Sequence, residues 1–310
     1  MKKILVTGGT VFVGKYVATY FLNRNYEVFV LNRGTRPQVQ GVRHIPADRN
    51  HLGDCLKEYY FDAIIDICGY NKTDIEHLLD AVGEYEDYVF ISSSAVYPET
   101  NPQPFSEEQP IGTNKIWGRY GADKAEAEQY LLSRNPEGYI IRPPYLYGPM
   151  QNLYREPFVF DCAMEGRSFY IPRDGKMKLQ FFHVHDLCKV VEQILLRHPK
   201  EHIYNVGNER AVEINEFVEL CYKAAGVPLE KVYVTGHDNQ RDYFPFYDYE
   251  YTLDISRQKQ LLQETKDLYE GLKESLAWYR ENPEQVVKKP YVEFIQNHFL
   301  SGVNTKVRLS

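Results

Sequence analysis

The chain has 310 residues, 43% hydrophobic and 25% charged, ordinary proportions for a globular protein that exclude extended disorder and coiled coil. A net charge of −7 gives no electrostatic reason to expect nucleic acid or an anionic membrane as partner. No apolar run approaches the roughly 20 residues that cross a bilayer.

The first half alternates β-rich runs with helical patterns. Ile4-Leu5-Val6-Thr7 reads as a short strand, followed by a glycine-rich turn and a helix near 14–25. Strands are expected at 27–32, 42–47 and 63–68, then a helix at 74–82 and a strand at 88–92. A longer helix is expected over 120–133 and a strand over 139–142. Strands separated by helices pair in parallel through right-handed crossovers, so the fold class is α/β with a doubly wound parallel sheet. Beyond Tyr147 the rhythm breaks at Gly148-Pro149 and Pro157. Helices are expected at 158–166, 216–226, 269–279 and 291–300, with a strand at 179–184 and a helix at 186–196 returning to the sheet. The expected division is 1–147 plus about 176–207 as a dinucleotide-binding domain, with about 148–175 plus 208–310 forming a smaller substrate-binding part from excursions.

Only Ile4-Leu5-Val6 follow Met1-Lys2-Lys3 before a glycine pair, too short for a signal-peptide h-region. The five cysteines (Cys55, Cys68, Cys162, Cys188, Cys221) are widely spaced and contain no CxxC, so they read as reduced thiols of a cytoplasmic protein. Tyrosine is in excess, at 26 residues, and its default role is amphipathic packing.

Thr7-Gly8-Gly9-Thr10-Val11-Phe12-Val13-Gly14 lies between the first strand and the first helix, where a Rossmann-type fold places its pyrophosphate turn. Gly8 permits the tight turn, Gly14 lets helix pack on strand, and the helix N-terminal amides meet phosphate. Gly8, Gly9, Thr10, Phe12, Val13 and Gly14 are therefore expected to bind a nicotinamide dinucleotide. Val11 stands where the middle glycine is expected, and its side chain obstructs the closest backbone approach. Asn32, ending the second strand, replaces the acid that would accept a ribose 2′-hydroxyl, and Arg33 follows it. That exchange favours NADP(H) over NAD(H), although Arg33 reads equally as a solvated loop residue. Asp48, ending the third strand, reads either as an acceptor for the adenine amino group or as a loop cap.

Tyr120 and Lys124 stand four apart, on one face of a helix, downstream of Ser92-Ser93-Ser94, which ends a buried strand. Singly each is unremarkable; their order after a dinucleotide turn is specific. With TGGTVFVG, SSSAVY, Tyr120-xxx-Lys124, RPPYLYGP from Arg142, FHVHD from Phe182, YNVG from Tyr204 and GLKESLAWYREN from Gly271, the sequence resembles the extended short-chain dehydrogenase/reductases, the NAD(P)-dependent sugar epimerases and dehydratases. The resemblance covers nearly the whole chain. It implies Tyr120 as the acid/base, Lys124 tuning it and reaching the cofactor, and Ser93 orienting the substrate oxygen. It also implies Pro143 on the cofactor, and Ser94, Tyr145 and Arg241 on the substrate. Tyr145 stands where nucleotide-sugar epimerases commonly carry an Asn that contacts phosphate. Arg241 matches the diphosphate-binding arginine in place.

His183 and His185 lack a third ligand, so no metal is expected. Asp161 and Glu165 read as a solvated helix face, and Tyr243–Tyr251 as core or loop packing ahead of a ring platform for a sugar or base. The expected partner is a small molecule, a sugar or nucleotide-sugar, with a homodimer by analogy and neither nucleic acid nor membrane. Two alternatives stand beside the epimerase, dehydratase or reductase: a non-catalytic nicotinamide-binding regulator or RNA-binding relative, and a reductase of a non-sugar alcohol or ketone.

Overall fold

The computed structural model describes residues 1–300 and the short strand Arg308–Leu309. The chain divides into two units. The first comprises Met1–Leu146, Phe182–Glu209 and Leu253–Thr265; the second comprises Tyr147–Phe181, Arg210–Thr252 and Lys266 onward. The segment 253–265, grouped with the C-terminal part on sequence grounds, belongs to the first unit.

In the first unit the elements are β1 (Lys3–Thr7), α1 (Phe12–Leu22), β2 (Glu27–Asn32), β3 (Arg43–Pro46), β4 (Leu56–Asp66), α2 (Lys72–Ala81) and β5 (Val82–Ile91). They continue with α3 (Arg119–Arg134), β6 (Tyr139–Arg142), α4 (Val184–Arg197) and β7 (Ile203–Asn205). The seven strands form one parallel sheet in the order β7-β6-β5-β4-β1-β2-β3. The order reverses between β1 and β4, which opens a crevice at the carboxyl ends of those strands.

Alternation along each strand sends side chains to two cores. Ile4, Val6, Val28, Val30 and Ile141 face Val17, Phe21, Leu187 and Val191 of α1 and α4. Leu5, Phe29, Ile64, Tyr88 and Phe90 face Ile75, Leu78, Ala127 and Leu131 of α2 and α3. Each Val, Leu, Ile or Phe among them, once buried, contributes about 1.5–3 kcal/mol.

Element boundaries differ from the sequence reading where side chains intervene. β4 stops at Asp66, not Cys68, because the N–H groups of Ile67 and Cys68 donate to Thr7 Oγ1 at 2.9 and 3.1 Å instead of to a ladder. α1 begins at Phe12, with Val11 as an extended N-cap. The run 179–184 ends early, because His183 Nδ1 accepts from His185 N–H at 3.2 Å and opens α4 at Val184.

In the second unit the helices Glu156–Met164, Ile214–Ala225 and Leu268–Glu281 pack beside a parallel pair, Phe169–Pro172 with Lys231–Thr235. Asp161 is not on a solvated face. It is buried, accepting from Tyr154 Oη at 2.6 Å, Tyr279 Oη at 2.8 Å and Lys288 Nζ at 2.8 Å, because its helix turns that side inward. Glu165 is exposed as expected. In the aromatic stretch Tyr243, Phe244, Phe246 and Tyr251 are buried, and rings of Phe181, Phe217 and Phe246 pack on one another, so those four residues pack, while Tyr247 is exposed. Tyr88, Tyr97, Tyr222 and Tyr279 likewise bury their rings and anchor their hydroxyls on Asp66, Asn205, the Arg167 carbonyl and Asp161.

Asp66, fully buried, is the polar centre of the sheet. It accepts from Thr7 Oγ1 at 2.8 Å, Tyr88 Oη at 2.6 Å and both Nη atoms of Arg49 at 2.7 and 2.6 Å. Burial alone would raise its carboxyl; the Arg49 charge outweighs this and holds it below the ordinary value. Arg49→Met strands that carboxylate, and removing one partner of a buried pair costs about 3–5 kcal/mol. A lowered carboxyl stabilises the fold at neutral pH and loses that stabilisation as pH falls below the usual aspartate value, roughly 4. Urea unfolding should therefore show the Arg49→Met deficit at neutral pH, shrinking as the solution is acidified.

Candidate functional site

The glycine turn is held from two sides. Gly8 N–H donates to the Leu31 carbonyl at 2.9 Å, and Asn32 Nδ2 donates to the Gly8 carbonyl at 2.7 Å. Gly8 and Gly9 have φ of +85° and +69°, and a Cβ at Gly8 would lie 2.5 Å from Cys68 Sγ. A Cβ on Gly14 would lie 2.6 Å from Gly9 N, so α1 sits directly on the turn. Val11 adopts φ −133°, ψ 140°, extended backbone open to any residue, and supplies no side-chain cap to α1. Phe12 is strained at φ +30° and buried, while Thr10 and Val13 are half-buried around the turn. An uncapped helix start behind two close-packed glycines presents backbone donors and a positive helix end, a donor set suited to a pyrophosphate.

Asn32 is committed to loop architecture: its oxygen accepts from Gly34 N–H at 2.8 Å and Gln38 Nε2 at 3.2 Å. Arg33 is exposed beside it. Asp48 Oδ1 accepts from Asn50 N–H at 3.0 Å, which is the loop-capping arrangement, and carries Arg49 toward Asp66.

Gly118, at φ +54°, precedes α3 as its N-cap, and the body of the helix from Ala122 to Leu132 is rich in Ala, Glu, Lys, Gln and Leu, good helix formers. Its inward face carries Gly121, Lys124, Ala125, Glu128 and Leu131. Tyr120, in the first turn, is 44% exposed, whereas Lys124, one turn on, is 2% exposed. Lys124 Nζ donates to the Gly69 carbonyl at 2.8 Å and the Ile91 carbonyl at 2.9 Å. Burial lowers the ammonium to about 8, against the raising influence of Asp66, Cys68 and Glu128.

The hydroxyl run closes on the same helix. Ser93 Oγ accepts from Ala95 N–H at 3.2 Å, capping the short turn Ser94–Val96, and α3 packs on that turn. A Cβ at Gly121 would lie 2.3 Å from the Ala95 carbonyl oxygen. Buried Ser94 donates its N–H to the Pro143 carbonyl at 3.0 Å, joining the ends of β5 and β6. Tyr145 is buried with its ring against Trp117, centroids 6.1 Å apart. Arg241, in the second unit, is engaged by its own loop, donating to the Pro245 carbonyl with its guanidinium 4.6 Å from the Tyr247 ring centroid.

Three motif segments far apart in sequence meet in one buried network. Arg142 pairs with Glu128 (Nη2 to Oε2, 2.6 Å) and donates to Tyr97 Oη at 2.7 Å; Tyr97 Oη donates to Asn205 Oδ1 at 2.7 Å. This fixes α3, and with it Tyr120 and Lys124, against β6 and β7. Sequence reasoning did not single out Glu128, Asp66, Arg49 or Tyr70. A charge inside the apolar run AIIDIC was the available signal for Asp66, since buried charges need partners. Gly121→Ala is expected to push the first turn of α3 away from the Ser94–Val96 turn. Overpacking of this kind costs about 1–3 kcal/mol, read as a lowered Tm.

A profile of the NAD dependent epimerase/dehydratase family matches residues 4–207. Among curated proteins, the chain is 28% identical over 302 residues to the chloroplast stem-loop binding protein of 41 kDa b of Arabidopsis thaliana, covering 88% of this chain and 78% of that one. It is 25% identical to a putative UDP-glucose 4-epimerase of Methanocaldococcus jannaschii, over 90% of this chain and 99% of the relative. Among solved structures, dTDP-glucose 4,6-dehydratase from Bacillus anthracis in complex with NAD superposes with a TM-score of 0.72 at 22% identity, covering 92% of this chain and 99% of that one.

Proposed function

Since the chain belongs to the NAD dependent epimerase/dehydratase family, we propose that it binds a nicotinamide dinucleotide at the glycine turn and epimerises, dehydrates or reduces a nucleotide-linked sugar. The observation that carries this reading is the packing of α3, with Tyr120 and Lys124, against the Ser93-capped turn. The epimerase and dehydratase relatives support the substrate class.

The backbone of Gly8, Gly9 and Thr10, with Phe12, Val13 and Gly14 at the start of α1, would take the pyrophosphate, and Pro143 and Lys124 would meet the nicotinamide end. When bound, the nicotinamide supplies the hydride acceptor or donor. Tyr120 exchanges a proton with a substrate hydroxyl. A phenol of ordinary pKa near 10 is a poor base at neutral pH, and on this reading a cation brought beside it, Lys124, would favour the phenolate. Ser93 Oγ would orient the same substrate oxygen, and the same reading assigns Ser94, Tyr145 and Arg241 to substrate binding. We place the protein in the cytoplasm as a homodimer.

Cofactor choice belongs to the same reading. NADP(H) is favoured over NAD(H) because Arg33 is exposed and Asn32 removes an acidic competitor. Arg33→Ala should weaken NADPH binding in a fluorescence titration and leave NADH unchanged; equal affinities before and after would show that Arg33 does not read the phosphate.

Tyr120→Phe keeps the ring and deletes the proton. Turnover should fall by at least the lower bound of general acid–base contributions, about 10²–10⁴-fold, with NAD(P)H binding intact. Near wild-type turnover would refute the assignment. A second reading, RNA binding, follows from the Arabidopsis relative. A gel shift with stem-loop RNA separates the two, and tight binding by a protein that takes up no NAD(P)H would favour the second.

A further inference from the structure

Tyr70 lies outside every motif that the sequence displays, yet it is anchored beside Lys124. It follows Gly69, the residue whose carbonyl holds the Lys124 ammonium. Gly69 cannot carry a side chain: a Cβ there would lie 2.7 Å from Ile75 Cδ1, 2.9 Å from Phe90 Cε2 and 3.0 Å from Asp66 Oδ2. Tyr70 N–H then donates to Asp74 Oδ2 at 2.8 Å, and Asp74 with Asn71 forms the capping box that starts α2. The backbone on both sides of the ring is therefore fixed.

From that anchor the Tyr70 ring reaches Lys124, its centroid 5.5 Å from Nζ, while Phe90 presents its ring at 4.6 Å. Contacts of this length between an ammonium and an aromatic face are attractive. Lys124 is 2% exposed, and Tyr70 is 56% exposed, so one side of the ring meets the ammonium and the remainder meets solvent. An ammonium has three N–H donors, of which the Gly69 and Ile91 carbonyls take two.

We propose that Tyr70 is a positioning residue whose ring closes Lys124 off from bulk water, so that the ammonium is offered to a bound dinucleotide through a single remaining N–H. The cofactor half of this statement rests on the function proposed above; the closure itself does not. The groups around Lys124 are Glu128 on α3, Asp66 at the end of β4, Cys68 and Tyr70 in the loop that follows, Arg49 after β3, and the Phe90 ring and Ile91 carbonyl of β5, while Tyr120 on α3 acts on Tyr70. Among these Asp66, Cys68 and Glu128 favour the charged ammonium, while burial and Arg49 disfavour it, and burial prevails. Removing the ring admits water and relieves the largest influence.

The test uses the whole protein with lysine labelled at ¹³Cε, Lys124→Met identifying the resonance. In wild type and in Tyr70→Phe, which keeps the ring, Lys124 should titrate near 8, the value to which burial lowers it. In Tyr70→Ala and Tyr70→Ser the midpoint should rise by about one unit or more as the ammonium regains water. An unchanged midpoint in both ring-deleted variants, or a wild-type Lys124 that titrates as an ordinary lysine, would overturn the closure. The second arm follows the dissociation constant of NADPH or NADH, whichever binds more tightly, against pH. Its alkaline limb should move upward with Lys124 in the ring-deleted variants, and an unmoved limb beside a moved resonance would overturn the cofactor half. Wild type that binds neither NADPH nor NADH would instead overturn the functional reading and that half with it, while the resonance still decides the closure.

Discussion

One buried carboxylate organises the sheet end on which the candidate site stands. Asp66, at the end of β4, takes donors from β1, from the turn after β3 and from β5, so three segments converge on one side chain of a fourth. Isolated in an apolar interior such a charge would be prohibitive, and only a near-complete set of partners makes it tolerable. The same need for completeness makes it directive: each of its partners must end in the right place. Thr7 brings the glycine turn, and Arg49 brings the loop of Asp48. Arg49 also donates to the Asp74 carbonyl at 2.9 Å and 2.8 Å, which adds the start of α2. The crevice at the reversal of strand order is thus lined by segments that share one electrostatic centre.

A second centre, Arg142 with Glu128, does for α3 what Asp66 does for the turn. Between them lies Lys124, a buried ammonium satisfied by two carbonyls and two aromatic faces. A lysine in this setting retains its proton less readily than one in water. Neither polar centre is needed to form a parallel sheet. Both concern where the ends of strands and helices stop.

Most of the architecture was legible because burial imposes periodicity. Alternating Ile4, Leu5 and Val6 supply two cores at once, and the helical repeat through Gly121, Lys124, Glu128 and Leu131 follows from packing one face. The glycine turn was legible because Gly8 and Gly9 need positive φ and Gly14 tolerates no Cβ. What could not be read were pairings between residues far apart in sequence. Asp161 on a short helix looks solvated until Tyr154, Tyr279 and Lys288 arrive from the rest of its unit, and spacing within a helix carries no record of them. The same holds for Tyr70, whose relation to Lys124 exists only because β4 and α3 are brought together. Asn32 was read for the acid it lacks; its positive role, pinning the Gly8 carbonyl, depends on the pairing of β1 with β2.

The division of the first unit into three stretches of chain bears on how the protein is born. β7 and α4 complete the sheet and cover one of its faces, yet they lie beyond a long stretch assigned to the other unit. During synthesis the polypeptide up to Leu146 emerges with six of the seven strands and α1, α2 and α3, but without α4. Tyr97 and Arg142 then wait for Asn205, and Val28, Val30 and Ile141 wait for α4. Non-local closure of this kind slows folding and prolongs exposure of unpaired edges and apolar surface. A fragment ending at the first boundary lacks β7 and α4 and therefore keeps the edge of β6 unpaired and the apolar face that α4 covers open to water.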